Sequence, residues 1–505
     1  MNIIYRSSLR GVCRILPRGS WQHSVYAIDP GAAARTVQIE PDVSKRRHSR
    51  LRCVSHCIAC VIACGLLGSM MVKPALGAAP DEKVGPQPAA SAWPQWRGPM
   101  GRAVLTDTAL PAPWPAQPLR EVWHARLGTG WSSPVVVDGR VFITDRQGAV
   151  ERVLAFDADS GRELWQKSHA VDFDPHPVGR RHGNGPKATP LVSNGKVYAV
   201  GIAGRLDCLR AADGEIVWQL DYPAQFGARQ TLPGGRARVN GTENVIVPVG
   251  KGQGAPVPLF GYTGSPTISG ELLITPVGGQ NAGTIVAFQR DTGRVAWKTL
   301  DENVSYSSPV VAEIGGKTQV VAMTGPRVVG LDAADGALLW SHPFQVQYDE
   351  SISTPAIAGD TVLVTATGRP LTALRISRDG NKYKKQVAWT NEILSSYLSS
   401  MVTSGEHVYG MNDGGEFSCL RLSDGKILWT GGNHGYYCSP ILAGRRLLAL
   451  NERGSLAVLA ADPAGYQELG ASQLATGETW TMPAIVGSRI YVRSGDGLAC
   501  FDLQR

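Results

Sequence analysis

Apolar residues in this chain come in short runs, broken by Asn-Gly, Asp-Gly and similar pairs. One phrase opens on Ser or Thr with Pro and recurs along the chain. It stands as S-S-P-V-V-V-D-G-R-V-F-I-T (132–144), A-T-P-L-V-S-N-G-K-V-Y-A-V (188–200) and G-S-P-T-I-S-G-E-L-L-I-T (264–275). It returns as S-S-P-V-V (307–311), S-T-P-A-I-A-G-D-T-V-L-V-T (353–365) and S-S-M-V-T-S-G-E-H-V-Y (399–409). The last copies are C-S-P-I-L-A-G-R-R-L-L-A-L (438–450) and T-M-P-A-I-V-G-S-R-I-Y-V-R (481–493). Each pairs two strands rich in β-branched residues across a tight turn, which is a hairpin signal.

A second phrase follows the first. It is seen in L-A-F-D-A-D-S-G-R-E-L-W (154–165), L-R-A-A-D-G-E-I-V-W (209–218) and V-A-F-Q-R-D-T-G-R-V-A-W (286–297). Further copies are G-L-D-A-A-D-G-A-L-L-W (330–340) and C-L-R-L-S-D-G-K-I-L-W (419–429), with looser versions ending at Trp389 and near Leu469. Strand, Asp-Gly turn and strand closed by Trp make a second hairpin. Four strands per unit, repeated eight times, predict an all-β, eight-bladed β-propeller over 119–505. The eighth unit stops at L-A-C-F-D-L (498–503) without a Trp strand, and L-R-E-V-W (119–123) supplies one. Trp123 is therefore expected to close the ring and so protect an open strand edge.

Trp123, Trp165, Trp218, Trp297, Trp340, Trp389 and Trp429 are expected as packing anchors between blades. One position of the third strand is held small, at Ala155, Cys208, Ala287, Gly330, Ala373, Cys419, Val458 and Cys500. Crowding between blades accounts for it, and makes three cysteines packing residues. Cys208, Cys419, Cys438 and Cys500 include no adjacent pair and no C-x-x-C, so neither a zinc site nor a disulfide scaffold is indicated.

Charge changes the picture of the first 79 residues. They hold eleven Lys/Arg against three Asp/Glu, which is the whole net charge of +8. A neutral remainder argues against nucleic acid as a partner. K-R-R-H-S-R-L-R (45–52) runs into an apolar stretch at about 53–72 and then into Ala75, Gly77, Ala78 and Ala79. That is the layout of a secretory signal peptide, with a retained membrane anchor as the alternative. Val61-Ile62-Ala63-Cys64 looks like a lipobox, yet the apolar run continues past Cys64. Residues 1–44 are long for such a leader and suggest a start codon further downstream. The chain is expected to be exported, to the periplasm or cell envelope, with possible membrane association through this apolar segment. Residues 80–118 hold nine Pro and are expected as a tether.

The residue three before each repeat Pro (or Met401) should stand at the entrance of the innermost strand. These are Trp131, Lys187, Thr263, Tyr306, Ile352, Leu398, Tyr437 and Trp480. Trp131, Tyr306, Tyr437 and Trp480 with Lys187 form the candidate binding ring at the channel mouth, suited to a peptide or aromatic ligand. Plugging the channel is the other reading of the same residues. Two insertions also break the repeat. Residues 166–187 carry Asp172, Asp174, His176, Arg180, Arg181 and His182, and 221–262 carry Arg229, Arg236 and Arg238. The Asp172, Asp174 and His176 spacing matches no metal geometry, so no metal is expected there. No nucleophile elbow, P-loop or paired-carboxylate motif is present, and no catalytic residue is assigned.

The phrase A-F-D-A-D-S-G-R-E-L-W resembles the pyrroloquinoline-quinone (PQQ) propeller repeat, over about 120–505. W-P-Q-W-R-G-P (93–99) looks like the opening of PQQ-like propellers of the planctomycete type. The resemblance implies one of two classes. Cofactor-free binding propellers of the BamB type serve as modules of the cell envelope, with an envelope protein or peptide as partner. Quinoprotein dehydrogenases oxidise alcohols or sugars with PQQ and Ca²⁺. That second class implies neighbouring cysteines, calcium ligands beside a catalytic Asp and, in some members, a C-x-x-C-H haem site. None of these motifs is placed here, so the expectation is a non-catalytic binding propeller without cofactor. The dehydrogenase stands as the alternative.

Overall fold

The computed structural model describes residues 92–106, 110–232, 236–239, 242–244, 258–281 and 283–504. The leader at 1–79, with its apolar stretch, lies outside them. Eight four-stranded antiparallel blades follow one another in a ring. They span 135–170, 191–221, 267–299, 310–343, 356–391, 402–431, 441–473 and, for blade 8, 484–502 with the added strand Arg120–Ala125. First strands of neighbouring blades touch one another and so line the central channel. The ring closes as the sequence predicts. Trp123 stands opposite Cys500 in the antiparallel pairing of Arg120–Ala125 with Gly497–Asp502.

The small third-strand position has a local cause. Ala155 is paired with Trp165, Cys208 with Trp218, Ala287 with Trp297, Ala373 with Trp389 and Cys419 with Trp429. A ring directly across the strand leaves room for only a small partner, because opposed side chains in a ladder lie about 5 Å apart. Each indole then bonds the following blade. Nε1 of Trp123, Trp165, Trp218, Trp297, Trp389 and Trp429 donates to the carbonyls of Ala158, Ala211, Arg290, Ala333, Leu422 and Asp462. Among the described residues Cys208, Cys419, Cys438 and Cys500 are buried and free.

Two blades depart from this rule. Blade 5 has a longer hairpin, turning at Asp379-Gly380, and Trp340 of blade 4 donates to Gln319 Oε1 of its own blade over 2.7 Å. Its indole lies where a Cβ on Gly330 would stand, which is why that position has no side chain. In blade 7 the Trp position is Gly470, opposite Val458. Trp114 covers it from outside the repeat and donates from Nε1 to Ser472 Oγ.

A second circuit joins the inner strands. The backbone N–H of Ser133 donates to the Thr189 hydroxyl, Thr189 to Ser265, Ser265 to Ser308, Thr354 to Ser400 and Ser400 to Ser439. Met482 N–H returns to Ser133 Oγ and links blade 8 to blade 1. The Ser or Thr before each repeat Pro is thus a connector, satisfying a buried donor that no ladder reaches.

The expected tether needs correction over its described part. Trp93 bridges to Val136 in blade 1, and Val192 of blade 2 donates to Pro94 O. Arg97 reaches Met401 O beside blade 6, and Val104–Leu105 adds a parallel strand to blade 7. The W-P-Q-W-R-G-P segment therefore crosses between the inner strands of opposite blades. Proline suits this path because an irregular crossing offers few acceptors for backbone N–H groups.

The insertion at 221–262 holds the short helix Tyr222–Phe226, N-capped by Asp221, and strands at Gln230–Leu232, Arg236–Val239 and Thr242–Asn244. No helix among the described residues is long and apolar enough to cross a membrane.

Candidate functional site

A residue at one fixed offset from eight inner strands must recur at eight points around one circle. All eight ring positions (Trp131, Lys187, Thr263, Tyr306, Ile352, Leu398, Tyr437 and Trp480) line a single cavity of about 130 Å³. Loop residues complete it, namely Trp96, His182, Phe260, Glu350 and Tyr397. The ring is a recess and not a flat contact face. Tyr306 and Tyr437 are only 6% and 4% exposed, so they stand inside the recess.

The aromatic wall is built from tilted and edge-on contacts. Trp131 and Trp480 lie 6.2 Å apart at 31°. His182 stands edge-on to Trp480 at 5.2 Å and to Phe260 at 5.4 Å, and Phe260 meets Tyr306 at 5.0 Å. Such geometry places positive ring edges against negative faces. The short 3₁₀ helix Pro177–His182 delivers His182, and Trp131 Nε1 fixes its backbone by donating to His182 O over 3.0 Å. The Arg181 guanidinium lies 5.6 Å from the Trp480 ring centre, at the edge of the recess.

Beside the three tyrosines, a lysine, a glutamate and a histidine face this apolar volume. Burial draws Lys187 down to about 7, against a weaker upward pull from Glu151. Its Nζ donates to Gly183 O and Phe260 O, both at 3.2 Å. Burial pushes the Glu350 carboxyl up to about 7, opposed by the Tyr397 hydroxyl, which donates to it over 3.3 Å, and by Arg181. Burial also lowers His182 to about 4, helped by Arg181 and Lys187, so this imidazole is neutral in ordinary buffers. Trp480 Nε1 is buried in the wall and has no hydrogen-bond partner.

Several lining residues are not singled out by the sequence pattern. Glu350 stands two residues before the ring position Ile352 and Tyr397 one before Leu398, different offsets at which the repeat holds no constant residue. Trp96 lies in the Pro-rich stretch ahead of the first repeat, where no strand period marks it. His182 and Phe260 lie in the two insertions, but nothing in their spacing points inward. Asp172, Asp174 and His176 do not line the recess, and no group of three His, Cys, Asp or Glu is placed to hold a metal ion among the described residues.

Comparison with known proteins adds a lineage. Residues 149–431 match the family model described as outer membrane protein assembly factor BamB. The BamB of Salmonella typhimurium is 21% identical over 409 residues, covering 74% of this chain and 86% of that protein. A quinohemoprotein alcohol dehydrogenase of Pseudomonas putida is 24% identical over 295 residues, and this chain spans 34% of its length. The crystal structure of BamB from Moraxella catarrhalis shares the fold, with a TM-score of 0.50 at 16% identity over 76% of this chain and 96% of that one.

The recess does not fit a calcium–quinone pair. Calcium takes six to eight oxygen ligands, several of them carboxylates. Glu350 is the single carboxylate among the lining residues, and burial favours its protonated form.

Proposed function

The chain belongs to the outer membrane protein assembly factor BamB family, and from that premise we propose that it is an exported, non-catalytic propeller acting as a binding or scaffold module of the cell envelope. The observation that carries this reading is the recess. Eight inner-strand positions converge on aromatic side chains around a volume for one ring-sized group, with no constellation for bond-breaking chemistry among them. An apolar hole with few polar groups is what a pocket needs to seat an anchoring side chain of a partner. The names of the BamB relatives support an envelope location and an envelope protein as partner. Attachment through the apolar segment at 53–72 belongs to the same proposal.

Replacing Trp131 and Trp480 together with Ala tests it. The variant is expected to keep the fold and lose capture of the envelope protein that the parent retains after cross-linking in the native envelope. Equal capture by both would overturn the role of the recess. The dehydrogenase alternative is checked separately. Adding PQQ with Ca²⁺ is expected neither to raise the melting temperature nor to give dye-linked oxidation of alcohols or sugars.

A further inference from the structure

The charges around the recess are more selective than seating an apolar anchor requires. The Lys187 ammonium has three N–H donors, and two of them are used on carbonyl oxygens. No carboxylate lies within ion-pairing distance of it among the described residues. Trp480, in the same wall, holds a buried N–H without a hydrogen-bond partner. A desolvated cation in a wall that also holds an idle donor lacks an anion, because buried charge is costly until it is paired.

Size and wall chemistry fix the rest of the ligand. The volume of about 130 Å³ is near that of a cavity that takes one benzene ring, and the surrounding aromatics offer edge-on contacts. Resting on the reading of the recess as a binding site, we propose that it takes a small aromatic carboxylate, with the ring between Trp131 and Tyr306 and the carboxylate on Lys187 and Trp480 Nε1–H, and that binding is proton-coupled. A ligand ammonium would instead meet Lys187 and Arg181, both repulsive in mild acid, where Glu350 is neutral and offers it no counter-charge.

The sign of the coupling follows from the groups that face the ligand. Lys187, drawn down to about 7, carries its charge below that pH and loses it above. Glu350, pushed up to about 7, is neutral below that pH and becomes an anion above it. His182 stays neutral throughout, Arg181 stays cationic, and Glu151 acts on Lys187 from the blade 1 side without lining the recess. Both titrating groups therefore favour an anion in mild acid and disfavour it in mild base. Loss of the Lys187 proton alone weakens binding about tenfold per pH unit above 7.

The full chain should be titrated calorimetrically with 3-phenylpropionate and with 2-phenylethylamine at pH 6 and pH 9. The carboxylate is expected to bind at pH 6 and at least about tenfold more weakly at pH 9, with proton uptake near pH 8 seen as a buffer-dependent heat. Lys187→Met should remove both the binding and its pH dependence. Trp480→Phe, which keeps an aromatic face but removes the N–H together with part of the ring surface, should weaken binding severalfold. Equal binding of the amine, a pH-independent affinity, or unchanged binding by Lys187→Met would overturn the proposal. If no carboxylate binds while the Trp131/Trp480 double variant still loses its partner, this inference falls and the docking role stands. Carboxylate binding together with unchanged partner capture has the opposite meaning: the docking role falls and the small-ligand site stands.

Discussion

Trp96 Nε1 donates to Thr354 Oγ1 over 2.9 Å, and this bond ties a residue that precedes the propeller to the inner strand of its fifth blade. The Thr354 hydroxyl belongs to the same series that links the other inner strands, and here its donor comes from the crossing segment. Trp96 also forms part of the recess wall, so the segment joins the scaffold to the site.

Thr354→Val should leave the Trp96 N–H without an acceptor and cost about 1–3 kcal/mol in urea unfolding. Trp96→Phe should cost more, since it also removes packed surface. With the indole absent, Thr354→Val should add little. Full additivity in the double variant would show that the bond contributes nothing.

Gly161 and Gly139 both adopt left-handed backbone, at φ +70 and +69. A Cβ on Gly161 would lie 2.5 Å from the Trp123 ring, whereas one on Gly139 meets nothing within 4 Å. Gly139→Ala should cost about 1–2 kcal/mol from backbone strain alone. Gly161→Ala should cost a further 1–3 kcal/mol, roughly, from overpacking at the closing blade. Equal losses in the two variants would mean that Trp123 does not dock on this turn.

Arg493 is fully buried in blade 8 and clamps the ring shut against blade 1. Its Nη1 donates to Ser132 O, Ser132 Oγ and Thr144 O, and its Nη2 to Gly128 O. Burial lowers this guanidinium to about 10, partly offset by Asp145, so it remains charged. Arg493→Lys keeps the charge and loses the fork, and should cost at least about 3 kcal/mol by leaving buried carbonyls unpaired. A melting temperature equal to the parent's would argue against a clamp.

Glu350 binds its proton more tightly in the folded chain than in the unfolded one. The associated stability is present below the unfolded carboxyl range, near 4.5, and is lost as pH rises through about 7. Glu350→Gln cannot ionise and escapes that loss. Its melting temperature relative to the parent should rise between pH 4.5 and 7 and stay level beyond. A difference that shrinks over this interval would reverse the assigned burial effect.

Much of this molecule follows from local chemistry. Period-two strands, Asp-Gly turns and a closing Trp are properties of a few consecutive residues, and their eightfold repetition predicts the blades. The absence of Trp after Leu498 and its presence at Trp123 predict the closure. The repeat also places eight side chains on one circle, because equal offsets from equivalent strands become equal positions around an axis.

Tertiary structure alone decided what stands between those positions. Whether Tyr306 and Tyr437 face a partner or line a recess depends on how far neighbouring loops fold over them. Phe260 and His182 enter from insertions whose sequence has no period. Trp96 and Trp114 enter from a proline-rich stretch that carries no strand or helix pattern at all. Trp114 fills a gap at Gly470 and Trp96 meets Thr354, and each of these contacts joins residues more than 200 positions apart. The charge states of Lys187 and Glu350 were equally invisible, since desolvation is set by everything packed around a group and not by its neighbours in sequence.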